Sequence, residues 1–135
     1  ALRDRADIFT EQTGARPKAF LATLGALAEF NARTTFAINR LAVAGVEAIP
    51  PEVHEDLEAC AERFANSGAK LAVICGTDDA YAEQAEALAK LIKAGGKVEV
   101  WIAGKPNGIA GVDHFIHMRS DALDDGARAL AAVGA

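Results

Sequence analysis

The sequence predicts an α/β fold, a parallel sheet covered by helices on both faces. Two observations carry that expectation. Lys18–Leu24 and Leu71–Cys75 are short, mostly apolar runs of the kind found in strands buried on both faces. Segments with helical spacing separate these and further strand-like runs, so strand and helix alternate along the chain. Length and composition agree: 135 residues, 51% of them hydrophobic and 24% charged, suffice for one globular domain with its own core.

Taken in order, Leu2–Thr13 is charged and moderately helical around Ile8 and Phe9, and the following Gly14 and Pro17 end it. Residues 1–15 are expected to form a helical connector that docks on the domain or on a portion upstream of it. Residues 16–135 are expected to form the α/β domain. Its first strand, Lys18–Leu24, ends at Gly25. The helix that follows carries Phe30, Thr34, Ala37, Leu41 and Ala44 on one face. Gly45 closes that helix, and Val46–Ile49 is a short second strand. Pro50 and Pro51 are expected to open the next helix, with Val53, Leu57, Cys60 and Phe64 as its apolar stripe.

Leu71–Cys75 is the cleanest buried strand. Gly76–Asp79 turns into a helix whose stripe is Tyr81, Ala85, Leu88 and Ile92, ended by Gly95 and Gly96. Val98–Ile102 is the fourth strand, followed by the turn-rich Gly104–Gly108. Phe115–Met118 is the fifth. Ser120 is the expected N-cap of the last helix, with Asp121 in its first turn. The architecture predicted is flavodoxin-like (Rossmann-like): a doubly wound parallel sheet of about five strands in the order 2-1-3-4-5. In such sheets ligands sit outside the carboxyl ends of the strands, which makes Gly25–Ala32 the lip of the expected crevice.

Charge and cysteine content narrow the functional classes. Fourteen basic and 19 acidic residues give a net charge of −5, unsuited to a nucleic-acid partner, which needs a basic face. No apolar run approaches the roughly 18–20 residues of a membrane span, and no basic region followed by an apolar block marks a signal peptide. Cys60 and Cys75 suit reduced, buried thiols of a cytoplasmic protein better than a disulfide framework. The chain opens on Ala1, as a trimmed fragment would.

Few residues suggest chemistry. His114 and His117 lie three apart, so on a regular strand they face opposite ways and cannot chelate together. His54 is expected to be solvated on the second helix of the domain. No metal site is expected. Cys75 ends a strand at the crevice, where a reactive thiol is conceivable, but no histidine lies in the adjoining turns and a small buried hydrophobe is the better reading. Asp78 and Asp79 sit where acids favour a helix start, as does Glu29. No G-x-G-x-x-G follows the first strand, the Gly25–Glu29 turn lacks the hydroxyls of a phosphate loop, and Leu24 and Cys75 replace the acids of a phospho-receiver. No catalytic residue is assigned.

From roughly Gly14 to the C-terminus, with Arg16-Pro17-Lys18 as the entry to the first strand, the chain resembles the cobalamin-binding domain of methylmalonyl-CoA mutase. That family's first strand leads through a glycine into D-x-H-x-x-G, whose histidine becomes the lower ligand of cobalt. Laid after Gly25, the signature falls on Leu27, Glu29 and Ala32. The family's S-x-L after the third strand falls on Cys75 and Thr77, and its Gly-Gly pair on Ala103 and Gly104. A scaffold kept while its contacts are lost is similar to the small, non-catalytic subunit of the two-subunit enzyme. The resemblance implies a parent isomerase that interconverts methylmalonyl-CoA and succinyl-CoA. Its adenosylcobalamin would sit in a large, catalytic subunit as the partner, with none bound by this domain. Gly25, Leu27, Glu29, Ala32, Cys75, Thr77, Ala103 and Gly104 would then line a vestigial crevice. Phe30 is expected to turn into the core and Leu27 to fill space vacated by the nucleotide tail. The alternative is that cobalamin or another nucleotide-like ligand still binds a remodelled crevice.

Overall fold

The computed structural model describes residues 2–13, 17–106 and 108–134. Strands β1 (Lys18–Thr23), β2 (Glu47–Ala48), β3 (Leu71–Cys75), β4 (Glu99–Ala103) and β5 (His114–Ile116) form one sheet in the order β2-β1-β3-β4-β5. Every pairing is parallel, and the predicted order 2-1-3-4-5 is the order found. Register is set by burial: Phe20 opposes Ala72 and Thr23 opposes Cys75, with every residue of β3 buried. A one-residue slip would exchange the two faces of a strand.

Period-two alternation divides each strand between two cores. Leu21, Val73, Cys75, Trp101 and Ile116 face one side, packed under helices α1 (Leu2–Thr13), α2 (Leu27–Val43) and α6 (Ala122–Ala132). Phe20, Ala22, Ile74, Val100 and Ile102 face the other, under α3 (Leu57–Ser67) and a composite helix. That helix comprises α4 (Asp78–Ala80), a π-helical stretch Tyr81–Ala85, and α5 (Glu86–Lys93). The predicted stripes are the buried ones: Phe30, Thr34, Ala37 and Leu41 on α2, and Tyr81, Ala85, Leu88 and Ile92 along the composite helix. Helix α1 joins the same core through Ala6 and packs on α6. The predicted boundary of this segment at residue 15, with Gly14 and Arg16, lies outside the described residues.

Expectations at two helix starts are corrected. Residues 51–56 are not helical; α3 starts at Leu57, with the Asp56 carboxylate accepting from Ala59 N at 2.7 Å. A side-chain acceptor won over two prolines, because it satisfies a backbone N–H that the prolines cannot. Val53 is therefore exposed rather than part of a stripe. His54 sits in the same loop, half-buried with its ring 5.8 Å from that of Phe20. At α6 the cap is Asp121, not Ser120: its carboxylate accepts from Leu123 N and Asp124 N.

Candidate functional site at the carboxyl edge of the sheet

All five strands point the same way, so the loop after each strand and the start of each following helix gather along one edge. Gly25 lets the chain leave β1 with φ +86°, and a side chain there would meet Glu29 Oε1 at 2.7 Å. Glu29 itself accepts from Ala26 N at 2.9 Å and so closes the first turn of α2. Its carboxylate serves the helix, as the dipole argument anticipated. Phe30 turns into the core as predicted. Leu27 does not fill the crevice: it is 59% exposed, because the first turn of α2 points this position away from the sheet.

The loops after β1 and β3 meet directly. A Cβ on Gly76 would stand 3.1 Å from that of Leu24, and Leu24 N donates to Cys75 O at 2.9 Å. Cys75 lies beneath that contact, fully buried, instead of facing the crevice. Burial pushes its thiol well above the usual range, although the Arg33 charge pulls the other way. Burial likewise lifts Cys60, to about 12, against the pull of Arg63. In both cases burial favours the neutral thiol over the thiolate a nucleophile needs. The Thr77 hydroxyl caps α4 by accepting from Ala80 N at 3.1 Å.

Arg33, which the sequence reading passed over, and Tyr81, which it placed only in a helix stripe, occupy the centre. Arg33 reaches from α2 across the edge. Its Nη1 donates to Ala103 O at 2.7 Å, and its Nη2 pairs with Asp78 Oδ1 at 3.1 Å. Tyr81 comes from the other side: its hydroxyl donates to the same Ala103 O at 2.7 Å and accepts from Gly76 N at 3.0 Å. The guanidinium lies 5.5 Å from the Tyr81 ring centroid. Burial, reinforced by the neighbouring Cys75, holds the phenol well above its ordinary pKa. Burial opposes the Arg33 charge, yet Asp78 and Tyr81 outweigh it and keep the guanidinium ionised. Gly104 lies close under this packing: a Cβ there would stand 2.9 Å from Arg33 Nη1 and 3.1 Å from the Tyr81 ring, so a side chain would press on both. The only sequence hint was Arg33 and Arg40, seven residues apart on one face of α2.

Two open clefts flank this plug. One, of about 490 Å³, lies between α2 and the loops after β4 and β5. Ala32, Ala103 and Gly104 line it together with Arg33, Phe36, Lys105, Ile116 and Met118. The other, of about 360 Å³, runs from Gly25 and Ala26 to His54 and Asp56. Of the predicted crevice residues, Ala32, Ala103 and Gly104 thus share one cleft and Gly25 borders another. Leu27, Glu29, Cys75 and Thr77 line neither of them.

The histidines are separate. His114 Nε2 meets the buried Asp125 at 2.8 Å with its ring edge-on to Trp101, while His117 Nδ1 accepts from Arg119 N at 3.3 Å. His54 Nδ1 faces Arg63 Nη1 at 2.7 Å; burial, then the Arg63 charge, lowers its pKa. Among the described residues no group of three or more His, Cys, Asp or Glu could hold a metal ion, and no helix is long and apolar enough to cross a membrane.

No family model matches the chain. Over 122 residues it is 45% identical to the methylmalonyl-CoA mutase small subunit of Streptomyces virginiae, covering 90% of this chain and 20% of that protein. It is 42% identical to a probable methylmalonyl-CoA mutase small subunit of Mycobacterium tuberculosis (84% and 18% covered). With the small subunit of Propionibacterium freudenreichii subsp. shermanii the identity is 35% (76% and 15% covered). The chain spans about a fifth of the length of these curated relatives. Among solved structures it is similar to a CheY-like protein of Pseudomonas aeruginosa PAO1, with a TM-score of 0.61. That match covers 87% of this chain and 94% of that one at 19% identity, a likeness of fold alone.

Proposed function

This chain is homologous to a domain-sized stretch of the methylmalonyl-CoA mutase small subunit, and we propose that it is a non-catalytic, structural domain supporting a catalytic large subunit in the cytoplasm. The parent reaction is the adenosylcobalamin-dependent interconversion of methylmalonyl-CoA and succinyl-CoA, with the cofactor held by the large subunit. The observation that carries the reading is the Ala103 carbonyl, which accepts from both Arg33 and Tyr81. At the strand ends, where ligands sit in this fold, Arg33, Tyr81 and Asp78 are spent on one another and on the Ala103 carbonyl.

The residues present do not fit a histidine-ligated corrinoid. Glu29 stands at the ligand position, and its Oε1 is engaged by Ala26 N. A hard carboxylate is a poor substitute for imidazole. Leu27 offers no acid to orient a ligand, and an orienting partner alone is worth about 10–100-fold in metal affinity.

Two measurements test the reading. Full-length small and large subunits should co-purify at micromolar concentration in mild salt; separate elution would defeat the assembly role. Titration of the full-length small subunit with adenosylcobalamin, followed by absorbance, should show no saturable change. A submicromolar shift characteristic of imidazole ligation would replace this reading with that of a binding domain.

A further inference from the structure

The stretch between β2 and α3 crosses the edge of β1 without the bonds of a sheet. Along that edge Pro17 O accepts from Glu47 N, and Ala19 O from Ile49 N. Leu21 O comes next, but the residue in register with it is Pro51, which has no N–H to donate. Side chains hold residues 50–56 instead. The Thr23 hydroxyl donates to Glu52 O, and Arg63 of α3 reaches back to donate to Val53 O at 3.2 Å and to His54 Nδ1 at 2.7 Å. The His54 ring lies against Phe20 of β1. A guanidinium only donates, so Nδ1 offers its lone pair and the ring proton sits on Nε2. Nε2 is buried with no hydrogen-bond partner among the described residues. The ring is therefore seated by one full hydrogen bond, and that bond exists only while the imidazole is neutral.

We propose that residues 50–56 are an acid-released strap and that His54 is its latch: a proton on Nδ1 breaks the bond to Arg63, sets two cations face to face and frees the segment from the edge of β1. The charged groups around the ring fix the direction. Arg63 faces it from α3 and Glu52 from the segment itself, where Glu55 and Asp56 follow. Asp56 is engaged at the start of α3, and β1 presents only Phe20 and Leu21, which carry no charge. Burial, then Arg63, holds the ring's pKa below 6.5; Glu52 and the Leu21 backbone pull the other way without prevailing. The Glu52 side chain is 66% exposed, so water weakens its attraction for an imidazolium. Release returns the ring to its ordinary value, so the released form gains as pH falls from 6.5 to the folded pKa and levels off below it. The strap lines two clefts, the one of about 360 Å³ and another of about 280 Å³ bounded by Ile49, Pro50, Arg63 and Asn66, and its release joins them. Every contact of the latch is made within this chain, whatever the rest of a longer protein covers.

The test is hydrogen exchange on the full-length small subunit from about pH 7.5 to about pH 5, corrected for the intrinsic pH dependence of exchange. Residues 47–60 include the bonded N–H groups of Glu47, Ile49, Ala59 and Cys60. Their protection should fall by up to about tenfold per pH unit below 6.5, while that of β3 holds. His54→Gln offers Arg63 a neutral acceptor at every pH, and should remove the pH response without loosening the strap at neutral pH. Arg63→Met removes the donor and should loosen the strap already at neutral pH. Protection of 47–60 that stays constant across the range overturns the proposal. The same loss in His54→Gln assigns the response to another group and also overturns it. A loss shared equally by β3 is acid unfolding of the whole domain, which defeats a local strap. The series on the unaltered protein decides between local release and none by itself, so the outcome does not hang on how the variants fold.

Discussion

Helix α2 sends two arginines across the molecule, and they end in opposite environments. Arg40 is 13% exposed and meets Asp125, 2% exposed, at 2.9 Å. Ser120 and His114 complete that cluster: the Ser120 hydroxyl donates to the same carboxylate at 2.6 Å, and His114 lies 2.8 Å from its other oxygen. Arg33, two turns earlier, pairs with Asp78, which is 81% exposed, and spends its other nitrogen on a backbone carbonyl. The Arg40 cluster ties α2 to α6 and β5 where water cannot take over a lost partner. The Arg33 plug lies at the solvent boundary, where water can. Similar side chains therefore hold the fold in one place and shape a surface in the other.

The largest way to test that contrast is to unpair the buried carboxylate. Arg40→Met should cost about 3–5 kcal/mol, because Asp125 is left charged in the interior. Denaturant unfolding measures it. Adding Asp125→Leu should recover much of the loss, since an apolar pair of similar volume often replaces a buried ion pair at little cost. If Arg40→Met is nearly neutral, the distinction between the two clusters collapses.

At the plug, Tyr81→Phe leaves Gly76 N–H without its acceptor and should cost about 1–3 kcal/mol. The same phenol makes a pH prediction. Its folded pKa is raised by burial, so above an unfolded value near 10 the unfolded chain sheds a proton the native state keeps. Its contribution is complete below pH 10 and declines as pH rises beyond it. Tyr81→Phe should flatten that alkaline limb in a pH series of melting temperatures. His54 acts with the opposite sign. Burial and Arg63 lower its pKa below 6.5, so its contribution is present above that pH and fades as pH falls. His54→Gln should make the acid limb shallower. The smallest effect is at the surface: Asp78→Ala should change stability by about 0–1 kcal/mol, as exposed ion pairs do.

The two-faced sheet and the stripes of α2 and the composite helix were legible in the sequence because each follows from local periodicity, and the strand order followed from the doubly wound class that the alternation of strand and helix implied. Leu71–Cys75 is apolar throughout and is buried on both faces; Phe30, Thr34, Ala37 and Leu41 recur at helical spacing and are all buried. The departures from the ligand signature at Leu27, Glu29 and Ala32 are plain in the letters too, as is the local reason Glu29 suits a helix start. Caps were read less well, since Asp56 and Pro51, or Ser120 and Asp121, compete within a few residues and the winner depends on how the chain enters the helix.

Tertiary structure alone decided what fills the strand ends. Arg33, Tyr81 and Ala103 are 48 and 22 residues apart in sequence along their hydrogen-bonded contacts, and no periodicity links them. Ser120, four residues beyond the end of β5, became a partner of Asp125 instead of a cap for the same reason. Spacing reports which face of an element is buried. It does not report which long polar side chain will cross an edge, because that depends on the carbonyls and charges that strands from distant parts of the chain bring within its reach.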